Sequence, residues 1–209
     1  MAPDDARNVE LVFGGTFDPP HRRHVEMASR AADALGAAAI LVIPAALNPQ
    51  RASALPVAAE DRLALVRIAF AKEPRARVLD LEVRRGPPSY TIDTLEELAR
   101  LGHTNLRLLI GSDQALNLPT WRAWSEVVRK APPAIVVRPP HDRESLRQAF
   151  AERFDDPETW VGRVLPVSAA DLSSTEVRAA LAAGDETRVA ELLDPEVAQA
   201  IRARGLYRR

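Results

Sequence analysis

Short apolar runs alternate with longer amphipathic segments along the 209-residue chain. The apolar runs are almost uninterrupted, which is typical of strands that are covered on both faces. They predict six strands, at Glu10–Phe13, Ala39–Ile43, Arg77–Leu81, Leu106–Ile110, Ala134–Val137 and Val164–Val167. Because helical patterns lie between these strands, we expect an α/β fold with a parallel, doubly wound sheet and right-handed crossovers.

The amphipathic segments repeat their apolar positions at the spacing of a helix. Those between the strands predict helices at Arg22–Leu35, Ala59–Ala71, Thr91–Leu101, Thr120–Lys130 and Arg143–Phe150. Three more are predicted after the last strand, at Ser174–Ala183, Glu186–Leu193 and Pro195–Arg204. We therefore expect a single domain over residues 1–209, with a core over about 1–168 and a C-terminal helical segment over about 169–209.

Composition narrows the possible functions. The chain has 28 basic and 29 acidic residues, a net charge of −1, so no overall field attracts nucleic acid or an anionic membrane, and we expect neither partner. The chain has no cysteine, which excludes disulfides and thiolate catalysis. No apolar run is long enough to cross a bilayer, and the first residues lack the apolar core of a secretory signal, so we expect a cytoplasmic protein.

The residues after the first strand carry the strongest chemical signal. Gly14 and Gly15 end that strand, and His21 and His24 open the next helix. Residues three apart share one helix face, and the first turn offers unpaired N–H groups and the positive end of the helix dipole. This arrangement suits phosphates and predicts a nucleotide site. Metal binding by the two histidines is the alternative, but the other two histidines lie in unrelated contexts.

A second polar motif opens the first helix of the C-terminal segment. Ser173 followed by Glu176 matches a capping box, which is a purely structural device. The hydroxyls of Ser174 and Thr175, together with Arg178, could equally form an anion cradle at the helix N-terminus. Both interpretations stay open on the sequence alone.

A third motif follows the fourth predicted strand. Gly111 would let a sugar or base approach the backbone, and Asp113 could accept hydrogen bonds from ribose hydroxyls or simply act as an N-cap. Trp121 lies soon after it, where its indole could stack on a flat heterocycle or belong to the core.

Taken together, these motifs resemble those of bacterial nicotinate-nucleotide adenylyltransferases, in the class of nucleotidyltransferases with a His-x-Gly-His motif. The resemblance spans almost the full length, and the order and spacing of the motifs make it specific. It is carried by Gly14-Gly15-Thr16-Phe17-Asp18-Pro19 with His21 and His24, Pro88-Ser89-Tyr90-Thr91, Ile110-Gly111-Ser112-Asp113, Pro119-Thr120-Trp121, Val137-Arg138-Pro139, Ser173-Ser174-Thr175 with Arg178, and Gly205-Leu206-Tyr207-Arg208.

The resemblance implies a Rossmann-like sheet of the adenylyltransferase type and a reaction in NAD biosynthesis. The family joins the 5′-phosphate of nicotinate mononucleotide to the α-phosphorus of ATP and releases pyrophosphate. Because the attacking phosphate is already anionic, such a reaction needs alignment and charge neutralisation rather than a protein nucleophile. A Mg²⁺ ion held mainly by the phosphates, with no metal site on the protein itself, is also implied. Assembly into a homo-oligomer stays open.

The resemblance also implies roles for individual residues. The catalytic group would be His21, His24 and Arg178. The group that binds ATP would be Gly14, Gly15, Thr16, Phe17, Arg51, Gly111, Asp113, Ser174 and Thr175. The group that binds nicotinate mononucleotide would be Asp18, Tyr90, Thr91, Trp121 and Arg138.

The chain departs from the family pattern in two places. Arg23 replaces the glycine between the histidines, and its side chain could obstruct the nucleotide or, at about 100° from its neighbours, point away from it. Pro49-Gln50-Arg51 replaces the usual Pro-His-Lys or Pro-His-Arg, and Ala45 replaces an asparagine. Two alternatives therefore stay open: an adenylyltransferase acting on nicotinamide mononucleotide or another phosphorylated acceptor, and a nucleotide-binding protein that has lost catalysis.

Overall fold

The computed structural model describes residues 8–49, 57–168 and 173–207. Six strands form one sheet in the order β3-β2-β1-β4-β5-β6, and the β1–β4, β4–β5 and β5–β6 pairs are parallel. The prediction of a parallel α/β sheet is confirmed. The strands are β1 (Glu10–Gly15), β2 (Ala39–Pro44), β3 (Ala76–Val78), β4 (Leu106–Gly111), β5 (Pro133–Val137) and β6 (Val164–Ser168).

Helices follow most of the strands, and three more follow β6. They are α1 (Arg22–Leu35), α2 (Ala59–Ala69), α3 (Leu81–Arg85), α4 (Thr91–Arg100), α5 (Ser112–Asn117), α6 (Trp124–Lys130), α7 (Arg143–Ala151), α8 (Pro157–Gly162), α9 (Ser174–Ala183), α10 (Glu186–Leu192) and α11 (Pro195–Ala203). No helix in the described ranges is both long and apolar enough to cross a membrane.

Two predicted elements differ from the structure by more than two residues at one end. The strand expected over Arg77–Leu81 ends at Val78, because the chain turns at Asp80 and buries Leu81 as the first residue of α3. The helix expected from Thr120 begins only at Trp124. Its predicted start is a 3₁₀ turn, and Ala123 has φ +51°, a left-handed conformation that cannot continue a right-handed helix.

The chain divides into two compact units, each made of three separate segments. The first unit comprises Met1–Phe13, Met27–Leu41 and Thr91–Asp171, and the second comprises Gly14–Glu26, Val42–Tyr90 and Leu172–Arg209. In the first unit, β4 pairs in register with β1 (Leu106 opposite Glu10) and with β5 (Leu109 opposite Ala134). β4 and β5 are almost fully buried, as expected for strands covered on both faces.

The core of the second unit joins α2 to the three helices after β6. Leu65 of α2, which is completely buried, belongs to one apolar cluster with Val177 of α9, Val189 of α10 and Ile201 of α11. The helices from Ser174 onward are therefore part of a shared core in this unit rather than an appendage.

The strand order places a topological reversal between β1 and β4. From β1 the chain runs first to β2 and β3 on one side, and then to β4, β5 and β6 on the other. Open α/β sheets bind ligands beyond the carboxyl ends of their strands at such a reversal. Gly14 and Gly15 lie at the carboxyl end of β1, and Gly111 lies at the carboxyl end of β4.

Candidate active site

The turn after β1 is shaped by an aromatic ring that folds back over glycine. A Cβ atom on Gly15 would lie 2.9 Å from the ring of Phe17, so only glycine leaves room for that ring. Phe17 itself has φ +49° and is buried, and its ring meets His24 edge to face with centroids 5.0 Å apart. Gly15 and Phe17 thus set the shape of the turn that carries Asp18.

The two predicted histidines lie together at the start of α1. Their rings stack with centroids 3.6 Å apart, and His21 is 4% exposed. The backbone N–H of His21 donates a hydrogen bond to Nδ1 of His24 (3.1 Å), while the N–H of His24 donates to the carbonyl of His21 (2.9 Å). Because Nδ1 of His24 accepts a bond, the proton of the neutral ring sits on Nε2. That nitrogen can donate to a phosphate oxygen.

The start of α9 is fastened to the same turn. Arg178 donates from Nη1 to the carbonyl of Asp18 (2.7 Å) and from Nη2 to the hydroxyl of Thr175 (3.1 Å). The hydroxyl of Ser174 donates to the carbonyl of Pro19 (3.1 Å). Arg178, Ser174 and Thr175 are therefore brought to the turn that precedes the histidine pair, as a phosphate site would require.

The capping interpretation of the same motif is half right. The hydroxyl of Ser173 accepts a hydrogen bond from the N–H of Glu176 (3.3 Å), so Ser173 does cap α9. The Glu176 carboxylate forms an exposed ion pair with Arg188 of α10 and does not supply the second half of a capping box. The cap formed by Ser173 leaves the anion-cradle interpretation of Ser174, Thr175 and Arg178 as a prediction.

Two further residues contact the turn after β1, and the sequence assigned no role to either. Arg62, only 1% exposed, donates to the carbonyls of Thr16 (2.5 Å), Ala46 (2.9 Å) and Val57 (3.3 Å). Burial lowers the pKa of Arg62, and the nearby charge of Asp18 opposes that shift. Nothing in the sequence sets Arg62 apart from the other arginines of amphipathic helices, since its partners are backbone carbonyls of distant segments.

Tyr207 is the second such residue, and a motif did contain it. Its hydroxyl donates to Oδ1 of Asp18 (2.7 Å), whose side chain is almost fully buried. Burial and this hydrogen bond raise the pKa of Tyr207 well above its ordinary value, so the phenol stays neutral and remains a donor. Asp18, expected to bind the pyridine nucleotide, is thus already held by Tyr207 and lies 3.8 Å from Arg178.

In the first unit, the residues after β4 and β5 form a second polar group. A Cβ atom on Gly111 would lie 2.6 Å from Oδ1 of Asp113 and 3.0 Å from Cδ of Arg138, so both side chains close over this glycine. Ser112, which is completely buried, accepts a bond from the N–H of Arg138 (3.0 Å). Asp113 lies inside the first turn of α5 and is not its N-cap, which is Gly111.

Fewer contacts are described for the remaining residues that the sequence assigns to the site. Thr91 is the first residue of α4 in the first unit, and Arg122, next to Trp121, forms an ion pair with Asp93 of that helix (3.7 Å). The indole of Trp121 is half-buried, and its Nε1 atom is enclosed without a hydrogen-bond partner in the described part of the chain. Tyr90 is half-buried in the second unit. Arg51 lies outside the described residues.

The sheet and its motifs define a class of protein. A model of the cytidylyltransferase-like family matches residues 12–180, and the chain belongs to that family. A relative in Aeromonas hydrophila, named probable nicotinate-nucleotide adenylyltransferase, is 40% identical over 94% of this chain and 96% of its own length. One of the same name in Chromobacterium violaceum is 38% identical over 94% of this chain and 97% of its own. Within the broader family, this chain therefore groups with the nicotinate-nucleotide adenylyltransferases.

Solved structures show the same fold. Plasmodium falciparum nicotinic acid mononucleotide adenylyltransferase, complexed with NaAD, superposes with a TM-score of 0.71 at 19% identity, over 96% of this chain and 97% of that one. The same enzyme complexed with APC gives a TM-score of 0.68, also at 19% identity, with the same coverage of both chains. The Rossmann-like architecture expected from the sequence is confirmed.

Proposed function

We propose that this protein transfers the adenylyl group of ATP to nicotinate mononucleotide and so makes nicotinate adenine dinucleotide and pyrophosphate for NAD biosynthesis. The observation that carries the proposal is the cluster at the turn after β1, where stacked His21 and His24 lie beside a turn fastened to Arg178. The names of the relatives support the same reaction. The proposal locates the reaction in the cytoplasm, with ATP and nicotinate mononucleotide as substrates.

In the proposed reaction, an oxygen of the acceptor's 5′-phosphate attacks the α-phosphorus of ATP. The bond from that phosphorus to the bridging oxygen of the β-phosphate breaks, and pyrophosphate leaves with the electron pair. Nε2–H of His24 donates to an oxygen of the α-phosphate, where negative charge builds up. Arg178 with the hydroxyls of Ser174 and Thr175 holds the β- and γ-phosphates and neutralises the leaving group.

Magnesium enters this proposal as a companion of the triphosphate. The described residues contain no cluster of three His, Asp or Glu side chains that could hold a metal ion. The Asp18 carboxylate, whose Oδ2 lies 3.8 Å from Nη1 of Arg178, is already bonded to Tyr207. The donors to Mg²⁺ in the proposal are therefore phosphate oxygens and water, as is common for this small cation.

The polar group of the first unit is assigned to the nucleosides. Gly111 and Asp113 take the adenosine: the side chains of Asp113 and Arg138 lie against Gly111, and the Asp113 carboxylate is able to accept hydrogen bonds from ribose hydroxyls. Trp121 stacks on the pyridine ring, the backbone at Thr91 binds its carboxylate, and Arg138 completes the acceptor site in this unit. The buried indole N–H of Trp121 supports this assignment, because it is a donor still to be used.

The decisive experiment supplies the purified protein with ATP, Mg²⁺ and either nicotinate mononucleotide or its amide. We expect release of pyrophosphate together with the dinucleotide, identified by mass spectrometry, and faster turnover of the acid. Preference for the amide would reject the acceptor, and ATP binding by calorimetry without turnover would support the non-catalytic alternative. A histidine outside the proposed site serves as a control: His103 pairs with Glu10 at the start of β1, whereas the glycines of the first motif lie at its end. His103→Gln should therefore turn over both substrates at the wild-type rate.

A further inference from the structure

Tyr207 lies in a turn that the structure holds in an unusual backbone conformation. Gly205 and Tyr207 have φ of +64° and +57°, and the left-handed region is unfavourable for any residue that carries a Cβ atom. Such a conformation persists only where surrounding contacts hold it. Here Leu206 and Tyr207 pack against the apolar cluster of α2, α9, α10 and α11. The phenol is thereby delivered to Asp18, a residue 189 positions earlier in the chain.

The two oxygens of the Asp18 carboxylate then have different neighbours. Oδ1 accepts the phenolic hydrogen bond of Tyr207 at 2.7 Å, and Oδ2 lies 3.8 Å from Nη1 of Arg178. The same guanidinium nitrogen donates to the Asp18 carbonyl at 2.7 Å. Because Asp18 is only 3% exposed, loss of the phenol hydroxyl removes a hydrogen-bond donor from a carboxylate that has little access to bulk water. The carboxylate would then be free to rotate beside Arg178.

We propose that Tyr207 is a positioning residue for adenylyl transfer: by holding the Asp18 carboxylate, it fixes the guanidinium of Arg178 where the β- and γ-phosphates bind. This inference rests on the proposed function. It assigns to Tyr207 an effect on ATP and pyrophosphate, and none on the pyridine nucleotide. Its neutral phenol acts only as a hydrogen-bond donor and takes no part in proton transfer.

The direct test is Tyr207→Phe, which keeps the ring that packs on the core and removes only the hydroxyl. We expect kcat/KM for ATP to fall by about tenfold, the usual scale for losing a hydrogen bond to a charged partner. The KM for nicotinate mononucleotide should stay within about twofold of wild type. A shift in the KM of the pyridine nucleotide with an unchanged ATP dependence would overturn the proposal.

The mode of action is tested by a double-mutant cycle. If Tyr207 acts through Arg178, Tyr207→Phe combined with Arg178→Ala should be no slower than Arg178→Ala alone, within about twofold. Penalties that multiply would show that Tyr207 acts independently, and would reject the positioning role. All rates are measured well below the lowest melting temperature in the set, so loss of folded protein does not contribute.

Arg204→Gln is the matched control. Arg204 pairs with Asp61 at 2.8 Å and lies in the same turn, but it does not contact Asp18. We expect wild-type kinetics for this variant. A loss of kcat/KM for ATP equal to that of Tyr207→Phe would mean that loosening the turn alone lowers activity, and would overturn the specific role of the Tyr207 hydroxyl.

A second readout separates this inference from the reaction itself. Calorimetry with a non-hydrolysable ATP analogue, in the absence of acceptor, should show about tenfold weaker binding for Tyr207→Phe. This holds whichever acceptor the enzyme uses. Failure to turn over nicotinate mononucleotide would therefore reject the proposed function, whereas unchanged analogue affinity would reject the role of Tyr207.

Discussion

At the scale of single residues, the two ring nitrogens of His24 have different tasks. Nδ1 accepts the N–H of His21 and so stabilises the first turn of α1, and the proposed reaction assigns to Nε2 a hydrogen bond to the α-phosphate. An asparagine can place its side-chain oxygen near the position of Nδ1, but it has nothing at the position of Nε2. Structure and catalysis can therefore be separated at this one position.

We predict that His24→Asn lowers kcat by about 10²- to 10³-fold, the range found when a donor to a developing oxyanion is removed. The melting temperature should fall by no more than about 2 to 4 °C, because the acceptor for the His21 N–H is retained and only the ring contacts with His21 and Phe17 are lost. Steady-state kinetics and thermal denaturation monitored by circular dichroism measure the two effects. A fall in melting temperature that accounts for the lost activity would contradict the separation.

Arg23 replaces the glycine that the family pattern has between the two histidines, where a side chain could obstruct the nucleotide. Arg23 is exposed and pairs with Glu26 one turn along α1 at 2.7 Å. It lies on the solvent side of the helix, as the helical offset of about 100° per residue allows. The effect of Arg23 on ATP binding stays a prediction.

At the scale of elements, Arg22 links helix α1 to helix α10, whereas its neighbour Arg23 pairs with Glu26 within α1. Arg22 donates from Nε to the carbonyl of Leu193 (2.8 Å) and from Nη2 to the carbonyl of Ala190 (3.2 Å). These carbonyls end α10, where a cation is favoured by the helix dipole and by the lack of intrahelical partners. The N-terminus of α1 is thereby fastened to the C-terminus of α10.

We predict that Arg22→Ala lowers kcat/KM for ATP by about three- to tenfold, since the first turn of α1 carries His24 and loses hydrogen bonds to α10. Arg23→Ala is the matched control and should stay within about twofold of wild type, because exposed ion pairs contribute little. Initial rates at varied ATP check both. Equal losses in the two variants, or a larger loss in Arg23→Ala, would contradict this division of tasks.

The N-terminus of α7 gives a prediction of pH dependence. Asp142 and Ser145 form a capping box, and the hydrogen bonds from Ser145 hold the pKa of Asp142 below its ordinary value. A carboxyl with a lowered pKa adds stability above its unfolded-state pKa and loses it as the pH falls through the folded-state value. We predict that Asp142→Ala lowers the melting temperature by about 2 to 4 °C near pH 7.

This difference from wild type should shrink as the pH is lowered from about 5 through the folded-state pKa, below which Asp142 is protonated in both states. Thermal denaturation over that range is the measurement. Asp155→Ala is the control, since Asp155 is an exposed aspartate that is not the N-cap of the following helix. A penalty that does not depend on pH would point to a loss unrelated to the charged cap.

Hydrophobic periodicity located all six strands and all eight predicted helices, but it missed α3, α5 and α8. These three have only five or six residues, too few for a helical period to show against the background. Their bounds depend on tertiary contacts, as at Leu81, whose burial in α3 ends the predicted strand. The sequence motifs could be recognised because each lies where a strand ends and a helix begins, and so consists of consecutive residues.

At the scale of the whole molecule, the contacts between the start of α9 and the turn after β1 join segments that are distant in the sequence. Ser174 reaches Pro19 across 155 positions, and Arg178 reaches Asp18 across 160. The motifs predicted a set of site residues, but not that Asp18 would be bonded to Tyr207 or that buried Arg62 would donate to the carbonyls of Thr16 and Ala46. Such partners depend on the folded path of the chain, which no local pattern specifies.

The same long-range assembly makes the core of the second unit a support for the phosphate residues. Leu65 of α2 is completely buried with Val177, which lies next to Arg178 on α9. We predict that Leu65→Ala lowers the free energy of unfolding by about 2 to 5 kcal/mol, from lost burial and the cavity left behind. Leu101→Ala removes the same atoms from a side chain that is 61% exposed, and should cost no more than about 0.5 kcal/mol. Urea denaturation measures both. Similar costs at the two positions would mean that α2 and α9 do not share a tightly packed core, and that Arg178 is held by its hydrogen bonds alone.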